Sequence, residues 1–286
     1  MKVYDELYSV YKKIDRRINR NKQSMQGLAV PQKVNIEWWN NDINIGDTLS
    51  PVICNYLLEK KGINAERSVK KTKHLYALGS VIGHKEFDAT IWGSGIIGLT
   101  RIPSIVNNSK YIQYDIRALR GPLSKEIMKS AGYNVEGCAL GDPGVLMPLI
   151  YSPSHRNKKY KYTVIVHHEM ESVRNVKSEH FLSVKTKDYK GFISQILESE
   201  VVISSSLHGI ILAESYGIPA VFLMQGKEVE NQMFKYYDWY YSTERYNVTV
   251  ARTIEEAKTM KPMDLPELTE MRESLLKSFP YDLWGE

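Results

Sequence analysis

The sequence predicts an α/β fold made of two doubly wound units that face one another across a cleft, and three observations predict it. Short apolar runs alternate with amphipathic stretches, nearly every apolar run ends in a glycine or a polar residue, and the alternation stops at "SPSHRNKKYKY", residues 152–162, before restarting. Apolar runs without polar alternation suit strands buried on both faces, which is the state of a parallel sheet covered by helices. Units of that kind bind ligands where the strands end, so a cleft between two of them is the expected site.

The elements follow in chain order. Residues 1–25 place Tyr4, Leu7, Val10, Tyr11, Ile14 and Ile18 at helical spacing opposite a Lys/Arg-rich face, which reads as a basic amphipathic helix. Its expected role is to pack on its own domain; resting on anionic lipid headgroups is the sharper alternative. The first unit, 26–151, opens with the strand "VNIEWWN" and the loop and helix "NDINIGDTLSPVICNYLLEKKG", with Thr48 or Ser50 as its cap, Pro51 in its first turn and Gly62 at its end. "HLYALGSVIG" and "ATIWGSGIIG" read as strands running into glycines, "KYIQYDIRALRGPLSKEIMKSAGYNV" as strand, loop and helix, and "CALGDPGVLMPLIY" closes the unit. After the linker at 152–162, the second unit, 163–286, reads as strands "YTVIVHHE" and "FLSVKT", helix "YKGFISQILESE", strand "VVISSS", helix "LHGIILAESYG", strand "IPAVFLM" and a terminal helix.

Composition narrows the function. The chain has 286 residues, 43% of them apolar, and a formal net charge of +5. That is ample for folded cores, and the basic residues form no nucleic-acid recognition signature. No apolar run reaches the roughly 18–20 residues of a membrane span, and the opening residues carry no signal-type apolar stretch, so the cytosol is the expected compartment. Cys54 and Cys138 lie far apart in apolar segments and read as reduced packing residues.

Six polar constellations stand at or beside predicted strand ends. In "SSSLHG", Ser204, Ser205 and Ser206 precede a helix beginning near His208, so hydroxyls and free N–H groups converge as in an anion site, and Gly209 admits a close ligand. A plain helix cap beside a buried histidine explains the same residues. In "NIGDTLS", Asn44, Gly46 and Asp47 precede an apolar helix; Asp47 is read as its N-cap or as a carboxylate able to take a proton from a hydroxyl. "WGSGIIG" offers Gly93, Gly95 and Gly98, a loose match to a phosphate loop that tight packing explains equally well. "DIRALRGPLS" sets Arg117 and Arg120 beside a helix start, a bidentate receptor for carboxylate or phosphate, and "LGDPG" places Asp142 at another strand end. In "HHE", His167 and His168 point to opposite faces of a strand, which disfavours a shared metal and leaves one to contact substrate.

Taken in order, "NIGDTLS", "IWGSGII", "RALRGPLSKEIMKSAGY", "GDPGVL" and "SSSLHGIILAESYGIPAVFL" make roughly residues 40 to 225 resemble the polysaccharide pyruvyl transferase family. The resemblance implies two Rossmann-like domains arranged as in GT-B glycosyltransferases. It further implies transfer of a pyruvyl group from phosphoenolpyruvate to two hydroxyls of a sugar, giving a cyclic ketal on a bacterial exopolysaccharide or capsule, or on its polyprenyl-diphosphate-linked repeat. Neither a cofactor nor a metal is implied. In these terms Arg120, Arg117, Gly95 and the turn Ser205, Ser206, Leu207, His208 and Gly209 are the candidate donor-binding residues. His208 is the first choice as acid or phosphate ligand, Asp47 as base, and Asp142 stands behind Asp47. Asn44, Trp38 and His167 are weak acceptor-binding candidates, with Trp39 and the aromatic "KYYDWYY" near residue 239 as further stacking surfaces. A lipid-linked acceptor adds weight to membrane contact by the basic opening helix. Two other readings share the features: a glycosyltransferase using a nucleotide sugar, with Glu214 holding the donor ribose, and a non-catalytic sugar- or phosphate-binding protein.

Overall fold

A computed structural model of the protein describes residues 32–39, 42–153, 157–166, 180–227, 229 and 232–285. The opening helix expected at 1–25 lies outside the described residues. The first part comprises β1 (Val34–Glu37), α1 (Ile45–Lys60), β2 (Lys73–Tyr76), β3 (Ala89–Trp92), α2 (Ile102–Asn108), β4 (Tyr114–Leu119), α3 (Pro122–Ser130), β5 (Ala139–Leu140), a 3₁₀ turn (Pro143–Leu146) and α4 (Met147–Ile150). The second comprises β6 (Tyr160–Val166), β7 (His180–Ser183), α5 (Tyr189–Leu197), β8 (Ser199–Ser204), α6 (Leu207–Ser215), β9 (Ala220–Leu223), α7 (Met233–Ser242), β10 (Val250–Ala251), α8 (Ile254–Thr259) and α9 (Thr269–Ser278). β6 starts at Tyr160, inside the stretch read as linker.

The strands form two five-stranded sheets, and the described pairings are parallel. Their orders differ. The first runs β1-β2-β3-β4-β5, in strict chain order; the second runs β10-β9-β8-β6-β7, so the chain steps from β6 to β7 and then returns to the other side of β6 for β8. Only the second sheet therefore has a point where the winding reverses, and that point, between β6 and β8, is where such sheets leave a crevice outside their carboxyl ends. Two doubly wound units were expected, and the first sheet, in strict chain order, is not one. Strand order is fixed by long-range packing, and local alternation of strands and helices carries no record of it.

Both sheets bury both faces. Leu75, Trp92 and Ala118 of the first point into a large apolar cluster with Ile45, Leu49 and Ile53 of α1, while Tyr76, Ile91 and Leu119 point into a second cluster with Ile105 and Met128 from α2 and α3. The large cluster continues without interruption into Ile165, Leu207, Ile210 and Phe222 of the second sheet and its helices, so one apolar core floors the junction of the halves. The final segment returns to the first sheet. Trp92 Nε1 donates to Leu275 O (3.0 Å), Trp284 Nε1 to Ala65 O (3.1 Å) and Lys73 Nζ to Leu283 O (2.9 Å).

Candidate functional site

Two helix N-termini meet above this core. α1 is capped by Asn44, whose extended backbone turns its Oδ1 to accept from Gly46 N at 2.9 Å. Asp47, Thr48 and Ser50 are thus inside the helix and none is its N-cap, which corrects the expectation; Pro51 is likewise interior. The chain enters the helix earlier than expected because asparagine is as good a cap as aspartate and stands first. Ile45 N donates across the junction to Val184 O, the residue after β7, at 2.8 Å. Asp47 lies in the first turn, and its Oδ1 is 3.0 Å from the place a Cβ would take on Gly79, a residue whose φ of +100° at the β2 exit requires glycine.

The serine turn is used mostly for structure. Ser204 Oγ donates to Ser206 O (2.9 Å) and accepts from Ser206 N (3.0 Å), and Ser205 N donates to Ile165 O (2.9 Å) across to β6. Ser205 O accepts from the hydroxyl of Tyr236 at 2.7 Å. Ser206 is the N-cap of α6, its Oγ accepting from Gly209 N at 3.4 Å. A Cβ on Gly209 would meet Ser204 Oγ and Ile165, so this glycine lets the helix start press against the strand ends. The N–H groups of Leu207 and His208 receive no acceptor among the described residues, leaving two donors of a nine-residue helix aimed at the winding reversal.

His208 extends from that turn across the junction. Its imidazole lies on the first turn of α1 so closely that a methyl group on Gly46 would overlap the ring. Its Nε2 is 3.6 Å from Oδ2 of Asp142, with side-chain exposures of 12% and 0%. Asp142 follows β5 and caps the 3₁₀ turn, its other oxygen accepting from Gly144 N at 2.9 Å. Both His208 Nε2 and Asp142 Oδ2 are buried without a hydrogen-bond partner. At this separation they do not share a hydrogen bond.

Arg120 has a different surrounding from the one expected. It is fully buried, and its Nε donates to Asp238 Oδ2 (3.1 Å), its Nη1 to Ser80 Oγ (2.8 Å) and its Nη2 to Ile96 O (2.6 Å). Asp238 also accepts from Ser124 N (2.9 Å) and Ser124 Oγ (2.6 Å). The guanidinium expected to receive the donor is thus occupied by a carboxylate of α7. Gly95 is small to admit that guanidinium, which a Cβ would overlap. Arg117 lies apart, pairing with Asp115 (2.8 Å) and Asp282 (3.1 Å) on the surface.

The remaining candidates are dispersed. Glu214 is held by Arg245 through two bonds of 2.6 and 2.8 Å and by Trp239 Nε1 at 3.2 Å, so it is not open to a ribose. Trp38 lines a separate pocket of about 290 Å³ with Pro51 and Asn55, and Trp39, 41% exposed, meets His84 edge to face. Tyr236, Trp239 and Tyr240 of "KYYDWYY" are core residues. His167 lies outside the described residues. Asp238 and Tyr236 were missed by sequence reading, although a lone carboxylate within an aromatic helical stripe is a sign that a cation must reach it from elsewhere.

The fold and this site define an α/β protein that joins two parallel sheets through converging helix N-termini and a histidine–aspartate pair. The polysaccharide pyruvyl transferase family profile matches residues 44–225, and the chain belongs to that family. It is 25% identical over 220 residues to an uncharacterized protein of Acanthamoeba polyphaga mimivirus, covering 73% of this chain and 74% of that one. It is 24% identical over 212 residues to the succinoglycan biosynthesis protein ExoV of Rhizobium meliloti (strain 1021), covering 71% of this chain and 62% of that one. An uncharacterized protein of Klebsiella pneumoniae subsp. pneumoniae NTUH-K2044 has a similar structure at a TM-score of 0.47 and 15% identity, over 82% of this chain and 98% of that one. No helix among the described residues is long and apolar enough to cross a membrane.

Proposed function

We propose that the protein transfers the pyruvyl group of phosphoenolpyruvate to two hydroxyls of a sugar, and that the junction of the two sheets, a GT-B-like cleft, is where it does so. The observation that carries this reading is His208: it stands at the winding reversal, lies on the first turn of α1 and faces the buried Asp142. Membership of the family and the similarity to a succinoglycan biosynthesis protein favour a polysaccharide as acceptor.

The chemistry needs a receptor for a small multiply charged anion and a proton at the enol carbon. The free N–H groups of Leu207 and His208, backed by the dipole of α6, supply the first. His208 supplies the second: it protonates the methylene carbon, which becomes a methyl group, as one sugar oxygen adds to the adjacent carbon. Phosphate leaves with its bridging oxygen, and the second sugar oxygen closes the ketal. Of the two hydroxyl protons, one is accounted for by the new methyl group and the other leaves with phosphate or solvent. Asp47, in the first turn of α1, takes a hydroxyl proton in this reading. Asp142 positions the imidazole and offsets its charge, as a carboxylate does behind a catalytic histidine. Asn44 borders the same helix start on the acceptor side. The assignment of Arg120 as donor receptor is set aside, because Asp238 already holds it.

The test is incubation of the purified protein with phosphoenolpyruvate, and separately with nucleotide sugars, together with galactosides, glucosides and N-acetylmannosamine glycosides. Acceptor-dependent phosphate release with a product heavier by a pyruvyl ketal is the expected outcome. Turnover with a nucleotide sugar alone would overturn the reading.

A further inference from the structure

A groove of about 880 Å³ opens between the turn after α7 and the segment that leads into α9, at the size of an ordinary ligand site. Its walls carry four carboxylates, Glu244, Asp264, Glu267 and Glu270. The guanidinium of Arg245 also lines it, but two bonds of 2.6 and 2.8 Å tie that charge to Glu214. Between the acids stand two apolar groups that the fold leaves open: Tyr246, 64% exposed, and Leu265, 44% exposed. The Tyr246 ring lies 5.3 Å from that of Tyr241, at 52° to it. The groove is distinct from the candidate site, since its lining includes none of His208, Asp142, Asp47 and Asn44.

We propose that this groove binds a stretch of neutral sugar chain. A carboxylate accepts hydrogen bonds and donates none, and the side-chain amide of Asn247, also in the lining, donates as well as accepts. Sugar hydroxyls match both kinds, and the CH face of a pyranose matches an exposed tyrosine ring, which is an apolar plate with a polar edge. Four clustered carboxylates repel phosphate and uronate groups, so phosphoenolpyruvate and acidic glycans are excluded by charge. The floor is rigid: Arg245 also lies over the Tyr240 ring at 4.7 Å, and Trp239 bonds the same Glu214. A site so placed would hold a polymer at a distance from the reacting hydroxyls and favour long acceptors over short ones.

The experiment is a calorimetric titration of the full chain, without phosphoenolpyruvate, with cello-oligosaccharides and galacto-oligosaccharides of increasing length and with oligolysine. Sugar binding should tighten with chain length, change little with salt, weaken at least tenfold in Tyr246→Ala and weaken severalfold in Glu270→Gln. Both side chains are exposed, so neither variant should move the unfolding midpoint. Equal sugar binding by wild type and Tyr246→Ala, no sugar binding at all, or salt-sensitive binding of oligolysine in place of sugars would each overturn the proposal. Because no donor is present, the result is independent of the pyruvyl-transfer reading.

Discussion

Arg120–Asp238 and His208–Asp142 each set a basic side chain of one half against an aspartate of the other, and both aspartates are completely buried. In the first pair, Asp238 takes hydrogen bonds from Arg120 and from both donors of Ser124, and the guanidinium also serves Ser80 and Ile96. In the second, the facing atoms stop 3.6 Å apart and neither has a hydrogen-bond partner. A satisfied buried network rigidifies a fold, whereas an unmet buried polar atom costs about 1–3 kcal/mol and calls for a reason. The contrast separates the residue that holds the halves together from the one proposed to act between them.

The largest expected effect is on the satisfied pair. Asp238→Ala leaves the Arg120 charge buried without its counter-charge, and should lower the free energy of unfolding by about 3–5 kcal/mol in denaturant titrations. A loss below about 1 kcal/mol, the level of an exposed ion pair, would break the comparison. At the unsatisfied pair the effect should fall on turnover. His208→Gln should slow the proposed pyruvyl transfer on the order of 10²–10⁴-fold with its unfolding midpoint close to wild type. A variant that unfolds early while retaining its rate would reverse the two assignments.

Gly46→Ala sharpens the geometry, since its methyl group would push the His208 ring away from α1. Turnover should fall toward that of the histidine variant, at a stability cost of about 1–3 kcal/mol from overpacking. The smallest effect concerns His84, at the rim of the first sheet. Burial, with the Arg101 charge second, pushes its pKa down to about 4, so the folded protein takes up its proton later than the unfolded chain. Stability linked to His84 is therefore full above its ordinary value near 6.5 and is lost as pH falls toward about 4. His84→Gln should flatten the pH dependence of the unfolding midpoint across that window; an unchanged slope would remove His84 as its source.

Local signals carried much of the architecture. The serine-to-helix turn was legible, because "VVISSS" is a buried strand and Ser206 a good cap, and α6 begins at Leu207 beside His208 as expected. So was α5, found at Tyr189–Leu197 within "YKGFISQILESE". The partner of Arg120 was not legible, since Asp238 lies 118 residues away on a helix whose aromatics spoke only of core. The same limit hid strand order and the return of α9 to the first sheet. Asn44 as cap was a local miss: two good capping residues, Asn44 and Asp47, stood three apart, and sequence alone does not say which of them the helix reaches.

The return of the last segment bears on synthesis. Trp92 and Lys73 of the first sheet are completed by Leu275 and Leu283. A ribosome adding about 5–20 residues per second leaves that face of the sheet uncovered for on the order of ten seconds after its last strand emerges. During that interval the nascent chain offers an apolar surface to chaperones, and a stall between Leu140 and Thr269 would leave it exposed there.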